Sequence, residues 1–429
     1  MTRRRIPAED RLWLELDRPE NLMVVTSLMW TGEEVDPERF RTVVRERLVD
    51  RFPVLRQHPH LRGGFVRGGS WVDDAAFDLD RHVVVLPVPA PGDRGALQEF
   101  VGQQRAVALD PAHPMWRMHL LQGYQGGSAL VTRFHHSIAD GIRSTQVLLG
   151  MLDPVDGAPP GFTARVGRRR PVRTSRSPVA TVLNTAVSGL KIVLWANPRT
   201  PLAGRPGRGK SVAWTAPVPL DALKEIAALT GTTVNDVCTA LVSGAVARYL
   251  DRAPGHHRLA PDDDEIAWMV PVNLEPPGQL PPAELGNHFA LVLVPLPQGP
   301  GSFPDRLASV HRRMLRIRES WEPALNFGLS RAIALAPAPI GTMASRILAA
   351  KAVGVLTDVP GPRSPMALAG SPVRGMVGWA PTSARQALTV TIFSYAGGVT
   401  VGFGADQEIV PDVDALVTAF DDELADVLA

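Results

Sequence analysis

Ala129-Leu130-Val131-Thr132-Arg133-Phe134-His135-His136-Ser137-Ile138-Ala139-Asp140-Gly141 contains the change of period that decides how this chain folds. The first six residues form an apolar run that reads as a buried strand. Beyond Gly141, the apolar residues Ile142, Val147, Leu148, Leu149 and Leu152 recur at roughly helical spacing. A strand-to-helix junction is where a scaffold commonly presents side chains to a cleft. An imidazole with an ordinary pKa of about 6.5 can take a proton from a hydroxyl at neutral pH. The carboxylate of Asp140 can hold the loop by pairing with an arginine or accepting backbone N–H bonds, and Gly141 permits a tight turn. A plainer reading is a pair of strand-end histidines followed by an Asp-Gly turn. The chain supplies its own control, because His256-His257 lies in a Pro/Gly/Asp-rich stretch without the following acid and glycine, and reads as surface loop.

Length and composition bound what surrounds this stretch. At 429 residues, two domains or two halves of one large fold are expected. The single cysteine, Cys238, excludes an intramolecular disulfide and a cysteine-cluster metal site, and suits a reducing cytoplasm. Met1-Thr2-Arg3-Arg4-Arg5 runs into acidic and polar residues, so no secretory signal is expected. The longest uncharged apolar run, residues 332–345, contains two prolines and is shorter than the roughly 20 residues of a spanning helix. A cytoplasmic location, with peripheral association to a membrane or lipid droplet, is the expectation. Charge is segregated along the chain. Residues 157–220 hold eleven basic residues and no acid, whereas the segment from Asp406 onward holds eight acids and no Lys or Arg. The six arginines Arg165, Arg168, Arg169, Arg170, Arg173 and Arg176 suit an anionic lipid surface. Nucleic acid is a poor alternative, because the run lacks interleaved aromatics and the rest of the chain is acidic.

Taken in order, residues 1–150 form a first unit, 151–214 a basic crossover linker, and 215–429 a second unit. In the first, Asp10-Arg11-Leu12-Trp13-Leu14-Glu15-Leu16 precedes a strand at 22–30. A helix from Asp36 follows, with Phe40, Val43, Val44, Leu48 and Phe52 as its apolar stripe. Another helix covers 97–108. His82 and His119 read as structural, and Trp116 as core on its size. In the linker, 179–195 has the spacing of an amphipathic helix. The second unit opens with a helix from Asp221 and another from Val234, whose start makes capping the default role of Asn235 and Asp236. Strands at 266–270 and 290–296, helices at 306–318 and through Leu348, a turn at 357–362, a hairpin turned by Gly397-Gly398 and a helix from Asp412 complete it.

The string His135-His136-Ser137-Ile138-Ala139-Asp140-Gly141 matches HHxxxDG, the signature of the CoA-dependent acyltransferase superfamily. From end to end, apart from the arginine-rich stretch, the chain resembles the bacterial wax ester synthase/diacylglycerol acyltransferase family. Pro114-Met115-Trp116 resembles that family's PLW element and Asn235-Asp236-Val237 its NDV element. Pro271-Val272-Asn273-Leu274 with Gly286-Asn287 resembles PVxLR…GN, and Thr357-Asp358-Val359-Pro360-Gly361-Pro362 resembles SNVPGP. Asp358 stands where the family has asparagine, and Leu274-Glu275 puts an acid at a usually basic position, two departures that bear on substrate choice.

The resemblance implies an α/β fold of two chloramphenicol acetyltransferase-like halves, each a mixed sheet flanked by helices, with a tunnel between them. It implies His136 as general base facing that tunnel. His135 and Asp140 would hold the loop, Gly141 would leave room at the channel, and Asn273, Asn287 and Trp116 would be substrate contacts. An acyl group would pass from acyl-CoA to diacylglycerol or a long-chain alcohol, with no cofactor and no metal. The absence of a G-x-S-x-G elbow and the helical setting of Cys238 disfavour an acyl-enzyme. Two other readings stand beside this one. One is an HHxxxDG condensation or natural-product acyltransferase with a different acceptor or a carrier-protein donor. The other is a non-catalytic lipid-binding relative.

Overall fold

A computed structural model describes residues 3–62, 68–155, 195, 200–252, 265–273, 282–299 and 301–429. The six arginines between 165 and 176, most of the 179–195 helix, His256-His257 and Leu274-Glu275 lie outside those residues. Two mixed sheets of seven strands dominate the described chain, with a three-stranded antiparallel sheet beside them. The first runs Val83–Pro87, Trp116–Tyr124, Gly127–His135, Val24–Thr31, Ser371–Trp379, Met366–Leu368 and Leu152–Pro154. The second orders Val218–Pro219, Gly398–Asp406, Leu388–Tyr395, Gly354–Pro360, Glu265–Asn273 and Phe289–Pro297, with Lys210–Trp214 also paired to Gly398–Asp406.

Burial explains the centre of the first sheet. Every residue of Gly127–His135 is buried, polar Ser128, Thr132, Arg133 and His135 included, as suits a strand with neighbours on both edges. Val24–Thr31 lies antiparallel to it, with Val24 opposite His135 and Trp30 opposite Ala129. In the second sheet, Leu388–Tyr395 and Gly398–Asp406 form the hairpin expected from Gly397-Gly398. Ala396 (φ 44°) and Gly397 (φ 86°) make its two-residue turn, the left-handed pair whose twist suits flanking strands. The two sheets approach closely at Gly402, where a Cβ would meet Val377 Cγ2 at 2.4 Å. Only glycine fits there.

Three expectations change. The boundaries 1–150, 151–214 and 215–429 are crossed by the sheets: Met366–Leu368 and Ser371–Trp379, late in the chain, complete the first sheet against Val24–Thr31. Lys210–Trp214, within the expected linker, is a strand of the second sheet. Thr357-Asp358-Val359-Pro360 is not a turn but the end of the Gly354–Pro360 strand, parallel to Leu388–Tyr395. Prolines and glycine suggested a break, yet β-branched Val355, Thr357 and Val359 drive extended pairing, and Pro360 sits at the strand's end. Finally, Ala8–Leu16 is a helix, so the residues before the first long strand belong to an element that the sequence reading left unassigned.

Helix starts follow side-chain chemistry. Asp36, Asp93, Asp140 and Ser302 each accept a backbone N–H of their own first turn. At Val234–Arg252 the cap is reciprocal: Thr233 Oγ1 accepts from Asp236 N–H, while the Asp236 carboxylate accepts from Thr233 N–H. Asp236 also takes a bond from His311 Nδ1. Residues Asn235 and Asp236 therefore sit at a helix start, away from the cavity described below. Among the described residues, no single helix is long and apolar enough to cross a membrane.

Candidate active site

His135 closes its strand, and the chain turns before the Gly141–Leu149 helix. The two histidines leave that strand in opposite senses. His135 N–H donates to Met115 O at 3.0 Å on one side, and His136 N–H donates to Met23 O at 2.7 Å on the other. This is the alternation of an extended chain. His135 is fully buried, and its Nδ1 accepts from Ser137 N–H at 3.1 Å and lies 2.8 Å from Ser137 Oγ. Its Nε2 therefore carries the proton and points toward Asp17 Oδ2, 3.7 Å away, beyond hydrogen-bond length.

Asp140 spans two parts of the chain. Its Oδ1 accepts from Arg143 N–H at 2.8 Å, capping the Gly141–Leu149 helix, and its Oδ2 accepts from His288 N–H at 3.0 Å. The carboxylate thus holds both the histidine loop and the Gly286-Asn287-His288 loop that leads into the second sheet. Gly141 has nothing within 4 Å of where a Cβ would stand, so open space faces it.

His136 lies against three groups brought from far away. Asn287 Oδ1 is 2.8 Å from His136 Nδ1, and Asn287 Nδ2 is 2.8 Å from both Asp10 Oδ1 and the His136 carbonyl. Trp13 stacks on the imidazole with ring centroids 4.0 Å apart, and Phe289 sits at 5.6 Å. Burial pushes the His136 imidazole down to about 4, opposed by its bond to Asn287. Burial likewise lifts the Asp10 carboxyl to about 7, against the bonds from Asn287. Burial thus favours the uncharged ring at neutral pH, and one of its nitrogens, Nδ1, is bonded to Asn287.

A cavity of about 220 Å³ runs from this cluster between the two sheets. The first half contributes Met23, Leu130, Thr132, His136 and Leu148 to its wall, and the second contributes Met269, Asn287, Phe289, Leu348 and Phe393. Most of this wall is hydrocarbon; besides the histidine cluster it carries hydroxyls such as those of Thr132 and Thr391, and the polar side chains of Glu9, Arg331 and Gln386. It is suited to an acyl chain, with a proton acceptor at one place along it.

Other expected residues fall elsewhere. Trp116 is not a wall residue: it is 1% exposed, donates from Nε1 to Leu55 O at 2.8 Å, and stacks on His82 in the core of the first half. A large flat side chain with its one donor satisfied is core material. Asn273 is exposed at the end of its strand, two positions beyond the wall residue Pro271 on the same face, and is not part of the wall. Asn287 is at the site, but it bonds to the histidine. Sequence reasoning missed Asp10 and Trp13. Their spacing of three puts them on one face of a helix, a signal readable only once the helix is recognised. Cys238 is buried in the core of the second half, where burial pushes its thiol up, so it supplies no thiolate. Among the described residues there is no cluster of His, Cys, Asp or Glu that could hold a metal ion.

Comparison with known proteins bears on the family and the fold. The wax ester synthase/diacylglycerol acyltransferase catalytic domain matches residues 7–194, and the WS/DGAT C-terminal domain matches residues 285–427. The chain is 26% identical to the probable diacylglycerol O-acyltransferase tgs1 of Mycobacterium tuberculosis, covering 97% of this chain and 93% of that one. In fold it is similar to the wax ester synthase/diacylglycerol acyltransferase from Marinobacter aquaeolei VT8, with a TM-score of 0.71 at 24% identity over 98% of both chains. It is also similar to the starter condensation domain of rhizomide synthetase, solved in complex with C8-CoA and Leu-SNAC, with a TM-score of 0.59 at 13% identity over 99% of this chain and 93% of that one. With both domains matched across most of its length, and the HHxxxDG histidine set against a hydrocarbon cavity, the chain is an acyltransferase belonging to the wax ester synthase/diacylglycerol acyltransferase family.

Proposed function

We propose that the protein moves a fatty acyl group from acyl-CoA to a lipid hydroxyl, that of diacylglycerol or of a long-chain alcohol, with His136 as general base. The observation that carries this reading is an imidazole bonded through Nδ1 to Asn287 and set in the wall of a mainly apolar cavity. His136 Nε2 takes the acceptor's proton as its oxygen attacks the thioester carbonyl. A tetrahedral oxyanion forms and collapses, the carbon–sulfur bond breaks, and the CoA thiolate takes the proton back from the imidazolium. No acyl-enzyme is needed, and no cofactor beyond the acyl-CoA substrate. The C8-CoA held by the similarly folded starter condensation domain is in keeping with a CoA thioester donor.

An anionic membrane or droplet surface is the proposed place of work. Besides the six arginines between 165 and 176, the helices Glu322–Leu335 and Ala338–Ala349 favour it. One face of this pair supplies Phe327, Ile333 and Leu348 to the cavity, while Leu335, Ile340, Met343 and Ile347 are exposed. Residues 323–357 contain Arg331, Arg346 and Lys351 and no acid. The test of the reaction is incubation with labelled palmitoyl-CoA and a panel of acceptors. Labelled triacylglycerol or wax ester is the expected product. Transfer only to polar or carrier-bound acceptors would favour the condensation-type reading instead.

A further inference from the structure

A histidine acts as base only through a nitrogen that carries a lone pair, so its tautomer decides whether it can work. The surroundings of Asn287 decide that tautomer. Asn287 Nδ2 faces Asp10 Oδ1 and the His136 carbonyl, each at 2.8 Å, and the carbonyl oxygen can only accept. The amide must therefore turn its NH₂ toward them and its oxygen toward His136 Nδ1, 2.8 Å away. An oxygen at that distance requires Nδ1–H, which leaves the lone pair on Nε2. Asp10 Oδ1 thus holds the Asn287 amide on the side away from the imidazole. Asp10 is 2% exposed and comes from the Ala8–Leu16 helix, whose Trp13 stacks on the same imidazole. A single helix face thus meets both the ring and the amide that bonds to it.

We infer that Asp10 is a positioning residue for acyl transfer: acting through Asn287, it holds His136 in the tautomer whose Nε2 can accept a proton. The inference rests on His136 being the base, and its test separates the two ideas. The full chain is prepared with ¹⁵N-labelled histidine rings, and the His136 signals are assigned by their loss in His136→Gln. At neutral pH the wild type shows a protonated Nδ1 and an unprotonated Nε2 at this residue. Asp10→Ala and Asn287→Ala shift it toward the opposite tautomer, and Asp10→Ala lowers kcat on the order of ten- to a hundred-fold, the scale of lost outer-shell orientation, with KM for palmitoyl-CoA little changed. Exchanging the pair, Asp10→Asn with Asn287→Asp, keeps an oxygen at Nδ1 and a donor–acceptor contact between positions 10 and 287, gives up the bond to the His136 carbonyl, and recovers part of both losses. A folded Asp10→Ala protein with His136 still protonated at Nδ1 overturns the assignment. Should Asp10→Ala fail to fold, Asp10→Asn alone against the exchanged pair gives the same comparison, and equal tautomer signals in the two overturn it. A tautomer shift with unchanged turnover supports the positioning role and overturns the general base.

Discussion

Asn287 Oδ1 and His136 Nδ1 meet at 2.8 Å although 151 positions separate them. This contact ties the Gly286-Asn287-His288 loop of the second sheet to the histidine motif through one ring nitrogen, Nδ1. The adjacent His135 is occupied differently, by Ser137 at Nδ1, and stands in the protein interior. Substitution should separate the two. His136→Ala is expected to lose about 10²–10⁴ in turnover while remaining folded and still binding acyl-CoA. His135→Ala is expected to be less stable by about 1–3 kcal/mol, because it opens a cavity and leaves Ser137 N–H unpaired, with a smaller effect on intrinsic rate. Near-normal turnover by a folded His136→Ala protein would sink the mechanism.

Asp140 has no such split between chemistry and stability. It caps a helix through Oδ1 and holds His288 N–H through Oδ2, so its removal frees the helix start and the Asn287 loop together. Asp140→Ala is expected to lower stability by about 1–3 kcal/mol and to lower activity with it. Asp140→Asn, which keeps one acceptor, is expected to be milder in both. Thermal melting beside turnover checks this. A large loss of turnover at an unchanged melting temperature would give Asp140 a direct part in the reaction.

What could be read from the sequence was local. The change from strand to helix period around His135 to Gly141, the cap at Asp140 and the hairpin at Gly397 depend on residues within a few positions of one another. Asn287 came from its resemblance to a motif, but its partner did not, because the fold alone brings residues 10, 136 and 287 together. Asp10 and Trp13 were missed for the same reason, compounded by a short helix with too few turns to show a period. Asn273 carried the right motif, but it is exposed at the end of its strand, two residues beyond the wall residue Pro271. The late strand Ser371–Trp379 crosses into the first sheet, a non-local pairing that no boundary drawn along the chain anticipates.

Acid stability gives a third expectation. Burial depresses the imidazoles of His119 and His136 to about 4, from an ordinary 6.5. Between those values the unfolded chain holds protons that the native protein does not, so stability falls as pH drops through that window. Asp10 runs the other way. Its carboxyl is raised from 3.8 to about 7, so the native protein holds a proton that the unfolded chain has lost. That contribution is full below 3.8 and disappears as pH rises through 7. Asp10→Asn removes the opposing slope, so between about pH 4.5 and 6 the variant should lose stability on acidification more steeply than wild type. The difference should be about 1.4 kcal/mol per pH unit, one proton's worth. Denaturant unfolding at several pH values measures it. Parallel curves would mean that Asp10 ionises in the folded protein as it does in the unfolded chain.

Attachment to a lipid surface should depend on both charge and hydrocarbon, because the two candidate features differ in kind. The six arginines between 165 and 176 can each contribute roughly 1 kcal/mol near an anionic surface, an attraction that falls as salt shortens the Debye length from about 10 Å at 0.1 M. The exposed side chains of Ile340, Met343 and Ile347 lie one helical turn apart on a single face, and their burial in acyl chains is insensitive to salt. Co-sedimentation with vesicles of phosphatidylglycerol and phosphatidylcholine is expected to weaken as salt rises and to keep a residual, salt-resistant fraction. Replacing the six arginines by glutamine should remove the salt-dependent part. Replacing Ile340, Met343 and Ile347 by serine should remove the residual part while leaving turnover of a short, water-soluble acyl-CoA and alcohol pair unchanged, since none of the three is a wall residue of the cavity. Binding that is equal at low and high salt, and that survives both sets of substitutions, would place the attachment elsewhere on the protein.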